Sequence, residues 1–383
     1  MNIRYRQSWV EIDAQALRHN AGQFRRIIGA DRKLMAVVKS NAYGHGLLEA
    51  AATFISAGAD WLGVFEIDEA VALSDAGIKI PILILGNEDE DSTREAIRRG
   101  YKITVPSKDA AELVSKTARK LHRQADVHIK IETGTNRQGV RDTEAAKIVS
   151  CLSGDLCVNI EGAYTHFANI EDTTDHSYAY FQLRQFNKAV EEMGKAGAKP
   201  PIRHTACTAA TILFPETFFE MVRTGIGLYG LWPSKETRVS ATQYTDMAVD
   251  LRPAMTWKTR IIQVKDVPAG EFIGYGCTFR ATRNMKIAVL PVGYSNGYDR
   301  KFSNSAYVLV RGHRATVTGR VCMNLVMVDI TDIHGASVGD EAVLLGRQDG
   351  DSITADQLAS LAGTINYEIV TRIDPMAQRK LVE

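Results

Sequence analysis

Short apolar runs alternate with amphipathic stretches between residues 34 and 230. Eight runs, most of them rich in β-branched residues, predict strands: Leu34–Val38, Trp61–Phe65, Ile80–Leu85, Ile103–Val105, Val127–Glu132, Gly162–His166, Ile202–Thr205 and Met221–Tyr229. Five of the intervening stretches have the apolar spacing of helices: Leu47–Ala57, Ile67–Ala76, Ser107–His122, Thr143–Leu152 and Tyr180–Ala196. This alternation predicts an α/β fold, a (β/α)8 barrel of the TIM type over residues 14–240. An open doubly wound sheet is the alternative, but it predicts a G-x-G-x-x-G turn after the first strand, and residues 39–46 lack one.

After about residue 240 the pattern changes to short alternating runs separated by turn residues. They predict a mostly antiparallel, β-barrel-like domain over residues 241–383, with strands at Met255–Val264, Glu271–Tyr275, Ile287–Leu290, Tyr307–Val310, Ala315–Val321, Val326–Ile330 and Glu341–Leu344. One helix is expected there, Leu358–Ala362, because Thr354 and Gln357 have the spacing of a capping box. Residues 1–13 are a candidate to pair with this domain, which would make it discontinuous.

Composition and charge narrow the class of protein. The chain of 383 residues is 45% hydrophobic and 24% charged, which is typical of a globular protein with a full-sized core. Its net charge of +1 and the lack of a basic block argue against a nucleic-acid or membrane partner. The five cysteines are scattered without a CxxC pair, so we expect no disulfide framework, no metal site and a reducing, cytoplasmic location.

Lys39 is the first candidate functional residue. It follows the apolar run Leu34–Val38 and opens the segment Ser40-Asn41-Ala42-Tyr43-Gly44-His45-Gly46. An amine held at such a strand end can form an imine with an aldehyde, the bond by which lysines hold pyridoxal phosphate. The alternative is a lysine that only solvates the end of a buried strand.

Polar residues at the ends of other predicted strands support a functional role for Lys39. Strands of a parallel barrel are covered on both faces, so polar residues inside them need a reason. Alternation places His128, Lys130 and Glu132 on one face of their strand, and we expect Lys130 to point into a charged site at the barrel mouth. Three further residues lie within or at the ends of other predicted strands: His166, His204 and Arg223. Barrel enzymes build their sites from such strand ends.

A phosphate could be bound nearby. Thr208 precedes a short predicted helix, Ala209–Phe214, and offers a hydroxyl at its start. Gly225 and Ile226 offer backbone N–H groups that a phosphate could approach closely.

These segments resemble the alanine racemases that combine a barrel with a β domain. The resemblance runs from Val10-Glu11-Ile12 to Asn366-Tyr367-Glu368, and its motifs lie at Val38–Gly46, Thr133–Gly139, Gly162–Phe167, Arg223–Gly230, Gly274–Gly276, Leu290–Arg300 and Gly319–Met323. It implies a pyridoxal 5'-phosphate enzyme that interconverts L- and D-alanine by a two-base mechanism and supplies D-alanine for peptidoglycan. It also implies a homodimer with shared active sites.

The resemblance implies a role for each matched residue. Lys39 resembles the lysine that holds the cofactor and acts as one base, and Tyr275 resembles the opposing base, contributed by the other subunit. The residues implied to bind the cofactor phosphate are Tyr43, Thr208, Gly225, Ile226 and Tyr367. Those implied to surround the cofactor ring are Arg223 at the pyridine nitrogen, His204, His166, and Arg137 at the phenolate oxygen. Substrate contacts are implied for Arg137, Met323 and Tyr294, and Lys130 matches a lysine that is often carbamylated.

The chain departs from the family pattern at several positions. Thr208 replaces a serine, Cys207 an asparagine, Glu132 an aspartate, Thr224 a proline and Asn324 an aspartate.

The range of substrates stays open, because a racemase for serine or for several amino acids would share these motifs. A decarboxylase of the same architecture would supply a cysteine where Tyr275 stands, and a non-catalytic pyridoxal phosphate carrier would lack the β domain.

Overall fold

The computed structural model describes residues 7–244 and 248–383. They form two compact units, one of residues 16–42, 47–244 and 248–252 and the other of residues 7–15, 43–46 and 253–383. Residues 1–6 of the segment expected to pair with the β domain lie outside the described residues.

The secondary-structure elements follow in chain order. The strands are β1 (Ser8–Asp13), β2 (Lys33–Val37), β3 (Trp61–Val64), β4 (Ile82–Ile84), β5 (Lys102–Val105), β6 (Ala125–Lys130), β7 (Val158–Tyr164), β8 (Ile202–His204), β9 (Met221–Thr224), β10 (Met255–Arg260), β11 (Gln263–Val267), β12 (Phe272–Ile273), β13 (Phe279–Arg280), β14 (Met285–Leu290), β15 (Tyr307–Val310), β16 (His313–Thr316), β17 (Val326–Asp329), β18 (Glu341–Gln348), β19 (Asp351–Ile353) and β20 (Gln378–Val382). The helical segments are α1 (Ala14–Ile28), α2 (Lys39–Tyr43), α3 (Leu47–Ser56), α4 (Ile67–Asp75), α5 (Glu90–Arg99), α6 (Lys108–Leu121), α7 (Asp142–Leu152), α8 (Ser177–Lys195), α9 (Thr208–Leu213), α10 (Lys235–Tyr244), α11 (Ala355–Ala362) and α12 (Asn366–Thr371).

The first unit is the predicted (β/α)8 barrel, which the structure confirms. Its eight strands are parallel and follow the order β8-β7-β6-β5-β4-β3-β2-β9. Backbone hydrogen bonds join the two ends of this order: the Glu220 N–H donates to the Arg203 carbonyl (3.3 Å) and the Arg223 N–H to the Ala206 carbonyl (2.9 Å). The carboxyl ends of all eight strands therefore meet at one mouth.

Buried apolar side chains explain why these segments form strands. β3 and β4 are buried along their whole length, as strands covered on both faces should be. Five buried residues from five different strands pack into one cluster: Met35, Trp61, Leu83, Ile202 and Met221.

The second unit is mostly antiparallel, as predicted. Its largest sheet has the order β16-β15-β18-β10-β1-β20, with β19 paired to β18. β1 pairs antiparallel with β10 and parallel with β20. A three-stranded sheet, β11-β14-β17, and the hairpin β12-β13 complete the unit.

Some expected elements differ from those observed. Thr354 does cap a helix, and its hydroxyl accepts from the Gln357 N–H (3.1 Å), which confirms the capping box. The expectation of a single helix in the second unit was wrong, because α12 follows α11 after a short turn. β20 was not predicted. Within residues 7–244 and 248–383, no helix combines the length and apolar character needed to cross a bilayer.

Candidate active site

Lys39 stands directly after β2 in a backbone turn of unusual handedness. Four consecutive residues without glycine, Ser40 to Tyr43, have φ between 52° and 55°. This left-handed turn is closed by the Ala42 N–H, which donates to the Val38 carbonyl (2.8 Å). The Tyr229 hydroxyl donates to the Val37 carbonyl (2.9 Å), which fixes the strand just before the lysine. L-residues rarely adopt such a conformation in series, so the surroundings must hold it.

The surroundings of Lys39 favour its neutral amine. Its pKa is lowered, first by burial and then by the positive charge of Arg137, with Glu69 acting in the opposite sense. The ammonium group lies 5.9 Å from the centre of the Phe65 ring. Because only an unprotonated amine attacks a carbonyl, these surroundings suit a nucleophile.

Lys130 ends β6 and is buried, as the alternation in its strand predicted. Its pKa is far below the ordinary value, first because of burial and then because of Arg223 and Arg137. The Nζ atom lies 4.1 Å from the centre of the Tyr164 ring. Glu132 lies beyond the end of the strand, where its carboxylate accepts from the Arg137 N–H (3.2 Å).

Arg223 on β9 is buried and held by main-chain carbonyls. Its Nη1 donates to the His204 carbonyl (2.5 Å), and its Nη2 donates to those of Thr165 (2.7 Å) and Thr205 (3.3 Å). Burial lowers its pKa to about 10, so the guanidinium stays charged at neutral pH. Its Nη1 also faces the Nδ1 of His204 (3.0 Å).

The surroundings of His166 and His204 favour neutral imidazoles. Burial lowers both pKa values well below the ordinary one, and the positive charges of Lys130 and Arg223 lower them further. Among the described residues, no carboxylate forms a salt bridge with Lys39, Lys130, Arg137 or Arg223. The barrel mouth therefore concentrates basic side chains, and the nearby carboxylates of Glu69 and Glu132 only partly offset the lowering of the pKa values of Lys39 and Lys130.

Thr208 begins α9 and faces the turn after β9. Its hydroxyl accepts from the Gly225 N–H (3.0 Å) and the Gly227 N–H (3.5 Å), so the helix start and the turn with Ile226 lie together. A Cβ atom on Gly227 would lie 2.5 Å from Cζ of Phe24 and 2.6 Å from Cγ2 of Thr208. Cys207, beside Thr208, is buried, and burial raises the pKa of its thiol to about 12.

The remaining candidate residues belong to the second unit. Tyr275 lies in a short 3-10 turn after β12 and is 72% exposed. Tyr294 and Met323 come from separate segments that are bonded together: the Tyr294 N–H donates to the Cys322 carbonyl (3.0 Å), and the Ser295 N–H donates to the Met323 carbonyl (3.0 Å).

Tyr43 and Tyr367 also lie in the second unit and come together there. Their ring centres are 6.1 Å apart. Within the second unit, Tyr294 therefore lies with Met323, and Tyr43 lies with Tyr367.

Three residues were not predicted from the sequence: Tyr164 and Gln182 at the barrel mouth, and Glu161 deeper in the barrel. Tyr164 is fully buried, stacks on His204 with ring centres 4.7 Å apart, and lies under both Lys130 and Arg223. Gln182 is fully buried, donates to Thr133 (3.0 Å) and accepts from the Ala168 N–H (2.8 Å). Glu161 contacts His128 (3.3 Å). The sequence offered one indication of Tyr164: it follows Ala163 within a predicted barrel strand.

No metal site was predicted. Within residues 7–244 and 248–383, no group of three or more His, Cys, Asp or Glu residues could hold a metal ion. The candidate residues are amines, guanidinium groups, imidazoles, phenols and backbone donors, which suit an anionic organic ligand.

The known proteins that this chain resembles are consistent with these candidate residues. The sequence profile for the N-terminal domain of alanine racemase matches residues 12–233, and the profile for its C-terminal domain matches residues 254–381. The chain is 42% identical to an alanine racemase of Symbiobacterium thermophilum, over 98% of this chain and 97% of that one. It is 41% identical to the alanine racemase of Halothermothrix orenii, over 99% and 98%.

Solved structures agree as well. The alanine racemase of Streptomyces lavendulae superposes with a TM-score of 0.91 at 35% identity, covering 99% of this chain and 98% of that one. The Bacillus anthracis alanine racemase with bound L-Ala-P gives 0.92 at 34% identity, covering 99% and 96%. A histidine racemase of Leuconostoc mesenteroides gives 0.90 at 28% identity over the full length of both chains. The chain belongs to the alanine racemase family.

Proposed function

We propose that this protein interconverts L- and D-alanine with pyridoxal 5'-phosphate bound through Lys39. The observation that carries the proposal is the position of Lys39 directly after β2, at the start of the left-handed turn, where burial and the charges of Arg137 and Arg223 lower the pKa of its amine. Membership of the alanine racemase family supports the reaction and the substrate.

The residues present fit this cofactor. It carries a phosphate and a phenolate oxygen, and the barrel mouth has four cationic side chains that form no salt bridge with a described carboxylate. The groups that would hold the phosphate are the Thr208 hydroxyl, the N–H groups of Gly225 and Ile226, and the phenols of Tyr43 and Tyr367. Those that would face the ring are Arg223, His204, His166 and Arg137. When bound, the cofactor supplies an electron sink that makes the α-proton of the amino acid removable.

Racemisation requires proton transfer on both faces of the substrate. We infer that Lys39 acts on one face and Tyr275 of the partner subunit on the other. The support for Tyr275 is its place in the family motif Gly274-Tyr275-Gly276 and its exposure of 72% in the single chain, which leaves the phenol accessible to a second copy. The Met323 N–H would hold the substrate carboxylate, and Tyr294 would line the entry.

One experiment tests the cofactor, the reaction and the second base together. The purified protein should show visible absorbance that borohydride bleaches, and it should convert L-alanine to D-alanine. Tyr275→Phe should lose at least about a hundredfold in kcat, the range for removing a general base, while the absorbance survives. Tyr180→Phe, an exposed tyrosine of α8, is the control. Absence of the absorbance from the wild-type protein would contradict the cofactor, and full activity of Tyr275→Phe would contradict its role.

Lys130 is proposed to be carbamylated. The depressed pKa keeps a fraction of its amine neutral, and that amine can add to carbon dioxide and release a proton to solvent. The resulting carbamate would be an anion and would balance the positive charge of Arg137. NMR of the protein in isotope-labelled bicarbonate should show one carbamate signal that Lys130→Ala lacks. A spectrum without that signal would contradict the modification.

The second candidate function is racemisation of a larger amino acid. The histidine racemase of Leuconostoc mesenteroides, at 28% identity, shows that the same fold serves another substrate. Assays of L-alanine, L-serine, L-lysine and L-histidine side by side decide between the two. Turnover of any of the larger substrates above that of L-alanine would overturn the substrate and leave the cofactor in place.

We also propose that the D-alanine serves peptidoglycan synthesis in the cytoplasm. The support is the family membership. Expression of the chain should restore growth of a bacterium that lacks its own alanine racemase without added D-alanine, and Lys39→Ala should not.

A further inference from the structure

A row of side chains leads from Arg223 to the amino ends of the barrel strands; it is buried from Arg223 to His128 and half-buried at Glu161 and Lys102. The Nη1 of Arg223 lies 3.0 Å from Nδ1 of His204, and Nε2 of His204 lies 2.8 Å from Nδ1 of His128. The Nε2 of His128 lies 3.3 Å from a carboxylate oxygen of Glu161. The row ends at Lys102, whose Nζ is 3.7 Å from the same oxygen. Lys102 begins β5, so the row crosses the barrel from the end that carries Arg223 to the opposite end.

The direction of every hydrogen bond in this row follows from Arg223. A guanidinium can only donate, so Nδ1 of His204 must accept and the proton of this neutral imidazole must lie on Nε2. That N–H donates to Nδ1 of His128, which places the proton of His128 on its own Nε2. The last N–H then points at Glu161, and a carboxylate can only accept. With Arg223 as the donor at one end and Glu161 as the acceptor at the other, each histidine is therefore protonated on Nε2.

The backbone is shaped to place these groups. The pairing of β6 with β7 shifts register between Val127 and His128, so Glu161 is the extra residue of a bulge in β7. Such bulges redirect a side chain. A Cβ atom on Gly162 would lie 2.1 Å from Nδ1 of His128, so only glycine leaves room for this ring.

Aromatic rings enclose the two histidines. Tyr164 stacks on His204, with an angle of 7° between the rings. Trp61 meets His128 edge-on, with ring centres 5.6 Å apart. Both imidazoles are fully buried, so water does not take the place of either partner.

We propose that Glu161 is a positioning residue for Arg223 and acts through the tautomers of His128 and His204. With the carboxylate in place, His204 presents a lone pair to Arg223, and the guanidinium is held in one orientation. The part of the proposal that concerns racemisation rests on the proposed function, in which Arg223 faces the cofactor ring. The tautomers themselves do not depend on it.

Two substitutions of Glu161 distinguish its role as a hydrogen-bond acceptor from its negative charge. Glu161→Gln keeps an oxygen that can accept from His128, whereas Glu161→Leu removes it and leaves a buried N–H without a partner. Asp126→Asn is the control, because Asp126 pairs with Lys102 (2.5 Å), so its loss alters the charge at the same end while the hydrogen bonds among Glu161, His128 and His204 stay in place.

Imidazole NMR of the full-length protein with isotope-labelled histidine gives the first readout. His128→Gln and His204→Gln assign the two signals. The wild-type protein, Glu161→Gln and Asp126→Asn should show both histidines protonated on Nε2, and Glu161→Leu should show a mixture. A wild-type spectrum with either histidine protonated on Nδ1 overturns the proposal, whether or not the variants fold.

Kinetics give the second readout. Glu161→Leu should lower kcat about tenfold at nearly unchanged KM, as loss of a supporting hydrogen bond does, and raise pyruvate formation per turnover. Glu161→Gln should restore both quantities. Equal behaviour of the Leu and Gln variants in NMR and kinetics overturns the proposal. A wild-type protein without bleachable absorbance, but with the expected tautomers, overturns the proposed function alone.

Discussion

At the scale of single residues, the barrel mouth shows how surroundings change what a side chain can do. Lys39 and Lys130 have the same amine as the exposed lysines of the chain, yet burial and neighbouring positive charge lower their pKa values. Arg223 keeps its charge in spite of burial, because even a pKa lowered to about 10 leaves it protonated at neutral pH. The cluster therefore combines two amines of lowered pKa with a permanent cation.

Arg223 should control the outcome of the reaction. In the proposed function Arg223 would face the pyridine nitrogen, where a permanent cation would discourage protonation and so limit the electron sink. We expect Arg223→Glu to lower racemisation at least about tenfold and to raise the formation of pyruvate from alanine. Arg347→Glu makes the same change of charge on the exposed end of β18 and should do neither. The measurement is pyruvate formed per D-alanine formed, and an unchanged ratio in Arg223→Glu would contradict this role.

Gly227 lies in the turn after β9, which is proposed to bind the cofactor phosphate, and substitution there should be costly. A methyl group there would lie 2.5 Å from Phe24 and 2.6 Å from Thr208, so Gly227→Ala should lower the free energy of unfolding by about 1–3 kcal/mol and weaken cofactor binding. Gly22 in α1 has nothing within 4 Å of the same position, and Gly22→Ala should raise the free energy of unfolding by about 0.5–1 kcal/mol. Urea unfolding and cofactor titration measure both effects. Equal stability of the two variants would contradict the packing at the turn.

At the scale of elements, the turn after β2 is the most unusual feature. Each left-handed residue other than glycine costs about 1–2 kcal/mol, and four of them follow one another after Lys39. The neighbours that hold this backbone come from other elements. Glu69 of α4, for example, accepts from the Asn41 N–H (3.2 Å).

Glycine should therefore stabilise this turn. Ser40 is exposed and has φ of 55°, so Ser40→Gly removes a steric cost that exceeds the entropy glycine adds to the unfolded chain. We expect the free energy of unfolding to rise by about 0.5–1 kcal/mol. Ser150→Gly, in the right-handed helix α7, should lower it by about 0.5 kcal/mol. Thermal unfolding of both variants checks the opposite signs, and a lower midpoint for Ser40→Gly would contradict the argument.

The sequence predicted most elements because their apolar periods were clear, and the failures have physical causes. β7 was expected to begin at Gly162, but it begins at Val158, because Asn159 and Glu161 interrupt the apolar run. The predicted strand therefore left out both polar side chains, and Glu161 is the extra residue of a bulge in the strand. The left-handed turn could not be predicted either, because only Asn41 favours this conformation locally, whereas Ser40 and Ala42 do not.

The candidate site was partly predictable for the same reasons. Lys130 and Arg223 stood out as charges inside apolar strands, and both are buried at the barrel mouth. Tyr164 and Gln182 did not stand out, because an aromatic ring in a strand and an amide in a helix are ordinary. Their importance comes only from the contacts that the barrel creates.

At the scale of the whole molecule, buried neutral histidines should set the stability in mild acid. Burial lowers the pKa values of His128, His166 and His204. The unfolded chain takes up protons on them near the ordinary pKa of about 6.5, while the folded protein does not. The free energy of unfolding should therefore fall as the pH drops below that value, by up to about 1.4 kcal/mol per pH unit for each histidine.

Urea unfolding between about pH 7.5 and pH 5.5 tests this, because carboxylates stay ionised in both states over that range. His313→Gln removes an exposed histidine and should leave the slope unchanged. A free energy of unfolding that does not change over this range would show that the three imidazoles accept protons in the folded protein.

Shared active sites predict recovery of activity on mixing two inactive variants. In a dimer of Lys39→Ala with Tyr275→Phe, one site contains both substitutions and the other contains neither. Random reassortment of subunits should restore about one quarter of the wild-type activity. Mixing Lys39→Ala with itself is the control. No recovery, with reassortment shown by mass spectrometry, would place both bases in one chain.

The position of β1 has a consequence for synthesis on the ribosome. β1 is made first, yet its partners β10 and β20 begin at Met255 and Gln378. At about 5–20 residues per second, the nascent strand waits many seconds with both edges open, while the barrel strands that follow it can already pair. An unpaired edge strand invites association with other chains. Ribosome stalling before β10 emerges should thus leave β1 with both edges open and prone to aggregation beside the barrel strands.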